Sequence, residues 1–233
     1  MKDNALGAFE QIRPDDLLGP RNDVERKNAP EWLLLAGDRG LLRIVPRVSI
    51  VGTRTASSDG LNRASRLARE LVAKGVIVVS GLARGIDAAA HLSAIEAGGR
   101  TVAVLGTSLD KSYPRENADL QRLIMEQHLA VSQFPSGHPI ERSNFPRRNR
   151  TMALLTDATV IAEAADGSGC ISQGWEALRL GRRLFIMRAV VENKALSWPS
   201  EMLKYGADIL TETEDLLQAL PVGTGGSLAS LTF

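Results

Sequence analysis

Residues 48–87 read VSIVGTRTASSDGLNRASRLARELVAKGVIVVSGLARGID. Val48 to Val51 is a short apolar run that stops abruptly at Gly52-Thr53-Arg54. After a polar loop, the apolar positions Leu61, Ala64, Leu67, Ala68, Leu71 and Val72 fall on one face at helical spacing, and Gly75 supplies the stop. Val76 to Val79 is again a continuous β-branched run, and Ser80-Gly81 turns the chain toward a helix expected from about Asp87 to Ala97. Asp87 is the expected N-cap of that helix, its carboxylate accepting from the free amides of the first turn. Apolar strands that alternate with amphipathic helices predict a parallel sheet covered on both faces.

The alternation extends outward in both directions. Upstream, residues 1–28 are polar and broken by Pro14 and Pro20, so they read as an irregular arm with one helical turn at Asp15 to Leu18. Trp32 to Leu35 suits a buried edge strand. Downstream, strands are expected at Thr101–Leu105, Leu129–Ser132, Ala158–Ala162, Leu184–Met187 and Ala207–Leu210. Helices are expected over 118–127 with Asn117 as cap, over 147–155, from the Asp166-Gly167-Ser168-Gly169 turn to Gly181, and over 200–205. Gln133 to Pro146 holds three prolines and reads as an irregular loop. Thr211 with Glu214 forms a capping-box pattern for a last helix ending at Ala219. The fold class is therefore α/β: a doubly wound, mostly parallel sheet. The domain expectation is an arm (1–28), one α/β domain (29–220) and a loose glycine-rich tail (221–233).

The totals narrow the function classes. The 233 residues carry 28 Lys and Arg against 27 Asp and Glu, so affinity for a polyanion has to come from clustering rather than overall basicity. Cys170 is the single cysteine, which excludes an internal disulfide and a cysteine metal cage, and His128 and His138 lack ligand-like spacing; no metal and no cofactor are expected. The first residues have no apolar signal core and no apolar run is long enough to span a bilayer, so the chain reads as cytoplasmic.

In a doubly wound sheet, ligands bind beyond the carboxyl ends of the strands. Four strand-end loops are then the candidates: Gly52-Thr53-Arg54, the SGLARGID loop with Ser80, Gly81 and Arg84, the LGTSLDKSYPREN loop with Lys111 and Arg115, and the DGSG turn with Ser168 and Gly169. Their glycines let the backbone approach a ligand, and each loop feeds a helix with free first-turn amides. Asn144 to Arg150 (NFPRRNR) joins the same rim, with Arg147, Arg148 and Arg150 as phosphate-binding donors and no carboxylate among them. Successive helical positions point about 100° apart, so the three arginines cannot all be structural, and Arg147 and Arg148 are the first candidates. Phe145 precedes Pro146, which biases it toward an extended conformation: the ring is either held outward to stack on a base or plugs the loop into the core. Asp87 and His91 share a helix face at i, i+4, but with no nucleophile beside them they read as a cap and a packed histidine, and no catalytic residue is expected.

Taken together, VSIVGTR, SGLARGIDAAAH, TVAVLGTSLDKSYPRENADL, NFPRRNRTMALL and SGCISQGWEALRLGRRLF resemble, in order and spacing, the Rossmann-like domain of the DprA (Smf) DNA-processing family. The resemblance runs from about Leu18 to Ala219 and implies single-stranded DNA binding, a homodimer, and delivery of DNA to a RecA-type recombinase in natural transformation. It also implies DNA contacts at Arg54, Asn144, Phe145, Arg147, Arg148 and Arg150, with Lys111 and Arg115 beside them. The chain reads as a stand-alone form without the flanking domains that many members carry. Two alternatives stay open on the same fold: a sensor that holds one nucleotide-derived ligand, and a nucleotide phosphoribohydrolase-like enzyme using Glu163 or Glu176 near the DGSG turn. A strand needs arginines spread along a track, whereas a single nucleotide needs them converging on a point.

Overall fold

The computed structural model describes residues 9–19 and 21–221. Nine strands, β1 (Glu10–Ile12), β2 (Leu33–Gly37), β3 (Arg47–Gly52), β4 (Ile77–Ser80), β5 (Thr101–Leu105), β6 (Leu129–Ser132), β7 (Ala158–Glu163), β8 (Arg183–Met187) and β9 (Asp208–Leu210), form one sheet. Its order is β1-β2-β6-β5-β4-β3-β7-β8-β9. From β6 through β9 all neighbours are parallel, while β2 runs antiparallel to β6 and β1 antiparallel to β2.

The helices are α1 (Pro14–Leu18), α2 (Asp23–Asn28), α3 (Ser58–Ala73), α4 (Ile86–Glu96), α5 (Ala118–Gln127), α6 (Asn144–Leu154), α7 (Gly169–Arg179), α8 (Arg188–Val191), α9 (Trp198–Lys204) and α10 (Thr213–Ala219). In α3 the apolar stripe meets the core through Ala64, Leu67, Ala68 and Leu71, all buried. Each of its buried leucines contributes roughly 1.5–3 kcal/mol by leaving water. The Ser57 hydroxyl caps this helix by accepting from the Gly60 amide at 3.0 Å, so the helix begins at Ser58, three residues before the first apolar position Leu61. The parallel strands bury both faces, as their unbroken apolar runs require: every residue of β4, β5 and β6 is buried.

Three local expectations are corrected. The Trp32–Leu35 run is not an edge: β2 is sandwiched between β6 and the three-residue β1, a pairing to which the polar letters EQI give no clue. The long helix of the arginine-rich stretch starts at Asn144 rather than Arg147, so Phe145 is helical instead of extended. Pro146 sits in the first turn, where its missing N–H removes no intrahelical bond, and this outweighs its bias on the preceding residue. The last helix is capped one position later than expected, by a box between Glu212 and Asp215. The C-terminal tail lies outside the described residues beyond Pro221.

The chain order fixes where a ligand site belongs. From β3 the strands proceed outward through β4, β5 and β6; the chain then returns across the sheet to β7, on the other side of β3, and proceeds the opposite way. The reversal lies between β3 and β7, and beyond their carboxyl ends the flanking loops diverge and leave a crevice.

Candidate functional site

A cavity of about 410 Å³ opens at that crevice. Its lining includes Gly52, Thr53 and Arg54 after β3, Ala83 and Asp87 after β4, Phe145, Arg148 and Asn149 of α6, and Ser168, Gly169 and Cys170 at the start of α7. Three of the four loops singled out by the sequence thus meet here with α6, while the LGTSLDKSYPREN loop contributes nothing to the lining and reaches the site through Gly106 and Tyr113 against Phe145. The side chains of the rim divide into three groups.

The first group forms the floor. Arg148 is buried, its Nη1 donating to the carbonyls of Gly81 and, at 2.9 Å, Val104, and its Nε to Asn149 Oδ1 at 3.0 Å. Its Nη2 has no protein partner among the described residues. Asp87 is buried too and is not the N-cap of α4, which is Gly85. A carboxylate at the second helical position reaches back, and Oδ2 accepts from the Gly81 amide at 3.1 Å and the Ala83 amide at 3.3 Å. Asp87 and Arg148 therefore hold the two peptide groups that flank the Gly81 Cα, Asp87 at its N–H and Arg148 at its carbonyl. Only glycine fits there, because a Cβ would lie 1.9 Å from Arg148 Nη1. Burial raises the pKa of Asp87 and Arg148 lowers it; burial lowers that of Arg148 and Asp87 raises it. Each charge is held in place by the other.

The second group braces the loops. Ser80 donates its hydroxyl to the Ile50 carbonyl at 2.6 Å. Asn144 is fully buried, donating to the Pro139 carbonyl at 2.9 Å and pairing through Oδ1 with His138 Nε2 at 3.3 Å. Asn117 caps nothing with its side chain, which donates instead to the carbonyls of Leu82 and Ala83 at 3.0 and 3.2 Å and so ties the SYPREN segment to the SGLARGID loop. Asn149 donates to Ser172 Oγ at 2.7 Å and to the Gly169 carbonyl at 3.2 Å, joining α6 to α7. Glu163 accepts from the Ser57 amide and hydroxyl at 2.8 and 2.5 Å and from Arg63 at 3.2 Å. Glu176 is engaged by Arg150 at 2.9 Å and by Arg179. Both carboxylates named for a hydrolytic reading are thus tied to structural partners.

The third group faces solvent. Arg54 is exposed, with its guanidinium 5.4 Å from the centre of the Phe145 ring. Phe145 is half-buried against Gly106, where a Cβ would come 2.8 Å from the ring, and on another side it meets Tyr113 at 5.5 Å between centroids. The ring is neither free on the surface nor plugged into the core. Tyr113, 42% exposed, is the outermost ring of this stack. The sequence reading missed it, since nothing in SYPREN marks a tyrosine as the neighbour of a phenylalanine thirty-odd positions on. Arg147 is exposed over Phe134 at 5.1 Å; Phe134 packs on His138 at 5.0 Å, whose carbonyl takes Lys111 Nζ at 3.0 Å. Arg115 is exposed with no ion pair among the described residues, while Arg84 pairs with Glu116 at 2.5 Å. Arg150 stands apart, on the far side of α6 toward α7 and away from the cavity. Its replacement by alanine is expected to change melting by at most the value of an exposed pair, about 0–1 kcal/mol. Calorimetry of the variant checks this.

Two groups that invite chemistry are quiet. Burial pushes the Cys170 thiol up to about 12 and pulls His91 down to about 3, and His91 Nδ1 pairs with Thr101 Oγ1 at 2.7 Å. Among the described residues no group of three or more His, Cys, Asp or Glu is placed to hold a metal ion, and no helix is long and apolar enough to cross a membrane.

Comparison with known proteins places this geometry in context. The family model for DNA recombination-mediator protein A matches residues 14–221. The chain is 35% identical over 190 residues to DNA processing protein DprA of Streptococcus pneumoniae, covering 82% of this chain and 67% of the relative. It is 31% identical over 192 residues to DNA processing protein DprA of Bacillus subtilis, covering 82% of this chain and 65% of the relative. It therefore spans about two thirds of the length of these curated relatives. The X-ray structure of DprA from S. pneumoniae superposes with a TM-score of 0.79 at 30% identity, covering 92% of this chain and 75% of that one. A structure described as giving the single-stranded DNA binding mode of DNA processing protein A from Helicobacter pylori superposes with a TM-score of 0.75 at 27% identity, covering 90% of this chain and 95% of that one.

Proposed function

We propose that this chain, which belongs to the DNA recombination-mediator protein A family, binds single-stranded DNA along the carboxyl-end rim of its sheet. The observation that carries the reading is the spread of the exposed cations. Of the arginines only Arg54 and Arg148 line the cavity, and Arg148 is engaged with backbone carbonyls. Arg54, Arg84 and Arg115 stand exposed on three strand-end loops and Arg147 on the first turn of α6, with half-buried Lys111 on the loop of Arg115 and with Phe145 and Tyr113 among them. A single small ligand would call for donors converging on one point; a flexible polyanion with bases to stack calls for a cationic track interleaved with aromatic rings. The 410 Å³ recess, edged by Gly52, Thr53, Ser168 and Gly169, has room for one unit of such a strand. The H. pylori relative, whose structure concerns single-stranded DNA, supports the same assignment.

The test is a titration of labelled oligothymidine at two salt concentrations. Three exposed and unpaired arginines neutralising three phosphates give a slope of log K against log salt of about −2, roughly a 20-fold loss of affinity for a fourfold rise in salt. A flat response, or equal affinity for duplex of the same length, overturns the reading.

On this reading the protein is a strand holder rather than an enzyme: Glu163 and Glu176 are engaged by structural partners, burial pushes the Cys170 thiol up, and the hydroxyl beside His91, that of Thr101, is fully buried and donates to the Val78 carbonyl. It acts in the cytoplasm on incoming or exposed single strands, as a homodimer, and passes them to a RecA-type recombinase in transformation or recombination. Residues 29–220 carry the DNA-binding rim, and the segment before them completes the same sheet through β1. Light scattering at low micromolar concentration giving a monomer mass would remove the dimer from this account.

A further inference from the structure

At the opposite end of the sheet from the rim, the arm helices α1 and α2 and the segments leading into β3, β7 and β8 enclose a second cavity of about 790 Å³. Arg21, Arg43, Arg47 and Arg182 line it. Asp16, Glu25 and Asp157 line it as well, but two of the three are engaged. Glu25 accepts from Arg182 Nη2 at 2.5 Å and from the Asn22 amide at 2.9 Å, and Asp157 Oδ2 accepts from the Arg47 amide at 2.7 Å.

The guanidinium donors are not used up. Arg47 is only 7% exposed and bonds to backbone alone, through Nε to the Leu155 carbonyl at 2.6 Å and through Nη1 to those of Leu42 and Ile44 at 2.5 and 3.1 Å. Its Nη2 has no protein partner among the described residues. Arg182 Nε and Arg21 Nη1 are buried without a partner, and Arg43 is exposed with no ion pair among the described residues. Burial pulls the pKa of Arg47 down; Asp157 opposes this, and repulsion from Arg182 adds to it. Two guanidiniums that repel each other across a cavity, with the Nη2 of Arg47 unmade and Arg43 unpaired among the described residues, leave a deficit that an oxyanion fills. Donors arriving from several arginines suit the three oxygens of a phosphate better than the two of a carboxylate. Leu18 and Val45 supply apolar lining beside them.

We propose that this cavity is a binding site for a phosphate monoester, with Arg43, Arg47 and Arg182 on the phosphate and the organic part against Leu18 and Val45. The site is separate from the rim and does not rest on the DNA-binding reading. Calorimetric titration of the intact protein in chloride buffer, with inorganic phosphate and with adenosine 5′-monophosphate as probes, tests it. Both probes bind saturably and the monophosphate binds more tightly. Arg43→Ala, at an exposed position, and Arg182→Lys, which keeps a positive charge opposite Glu25 while removing the guanidinium fork, each weaken both probes about tenfold. No saturable binding of either probe overturns the proposal, as does binding that both variants leave intact. Binding lost in Arg54→Ala but kept in Arg43→Ala puts the anion on the rim and equally overturns it. Equal affinity for the two probes reduces the site to inorganic phosphate and overturns the assignment of a monoester.

Discussion

Replacing Arg148 with alanine lowers the stability of the fold by about 3–5 kcal/mol, on the order of 10 °C in melting temperature for a domain of this size. The side chain ties α6 to two strand ends at once, through the carbonyls of Gly81 and Val104, and truncation leaves both carbonyls without that donor. It also removes the charge that holds down the pKa of the buried Asp87. The pH dependence separates these two losses. Burial already raises the Asp87 pKa in the folded state, and without Arg148 it rises further. The folded variant then takes up a proton at a higher pH than the unfolded chain, whose carboxyl titrates near about 3.9. Protonation therefore favours the folded variant, and its deficit against wild type shrinks as pH falls from neutral through that raised pKa. Urea unfolding at about pH 8 and about pH 5.5 measures the difference. Equal deficits at the two values would assign the whole loss to the carbonyls. Asp87→Asn introduced into Arg148→Ala recovers the charge component and leaves the hydrogen-bond component.

Oligothymidine affinity falls by about 1–3 kcal/mol in Phe145→Ala and by a similar amount in Tyr113→Ala, the range for losing one base stacked on an aromatic ring. The two losses do not add. Phe145 sits between Gly106, the Arg54 guanidinium and Tyr113, so removing it unseats both the outer ring and the cation. The double variant is then little worse than Phe145→Ala alone, giving a coupling energy of about 0.5–3 kcal/mol in the double-mutant cycle. Tyr113→Phe keeps the affinity, because stacking needs the ring and not the hydroxyl. Full additivity would mean that the rings act at separate points of the strand, and no loss at Tyr113 would leave Phe145 as the inner platform without an outer one.

The sheet was legible wherever a strand is buried on both faces, because Val48–Val51, Val76–Val79 and Thr101–Leu105 have no other reading than a core strand. It was illegible at β1, where three mostly exposed residues hydrogen-bond to a partner more than twenty positions away and apolar periodicity carries no signal. The rim was legible as a set of loops, since strand ends in a doubly wound sheet converge by topology. The roles within it were not. Arg147, Arg148 and Arg150 are the same letter three times, yet one faces solvent over Phe134, one lies under the cavity and one pairs with Glu176. Which guanidinium is buried depends on the carbonyls of Gly81 and Val104, contributed by other strands. Tyr113 was invisible for the same reason: its meaning lies in the ring it touches across space.

The antiparallel pair at the start of the sheet bears on how the protein can be shortened. Leu33 and Leu35 are buried within β2, whose outer hydrogen-bonding edge is occupied by Glu10–Ile12. Cutting the chain at residue 29 would therefore strip the protective strand from a hydrophobic one and turn it into a template for sticking to other molecules. A soluble minimal fragment has to begin before Glu10, and a preparation trimmed by protease within the arm would be expected to precipitate while its rim stays intact.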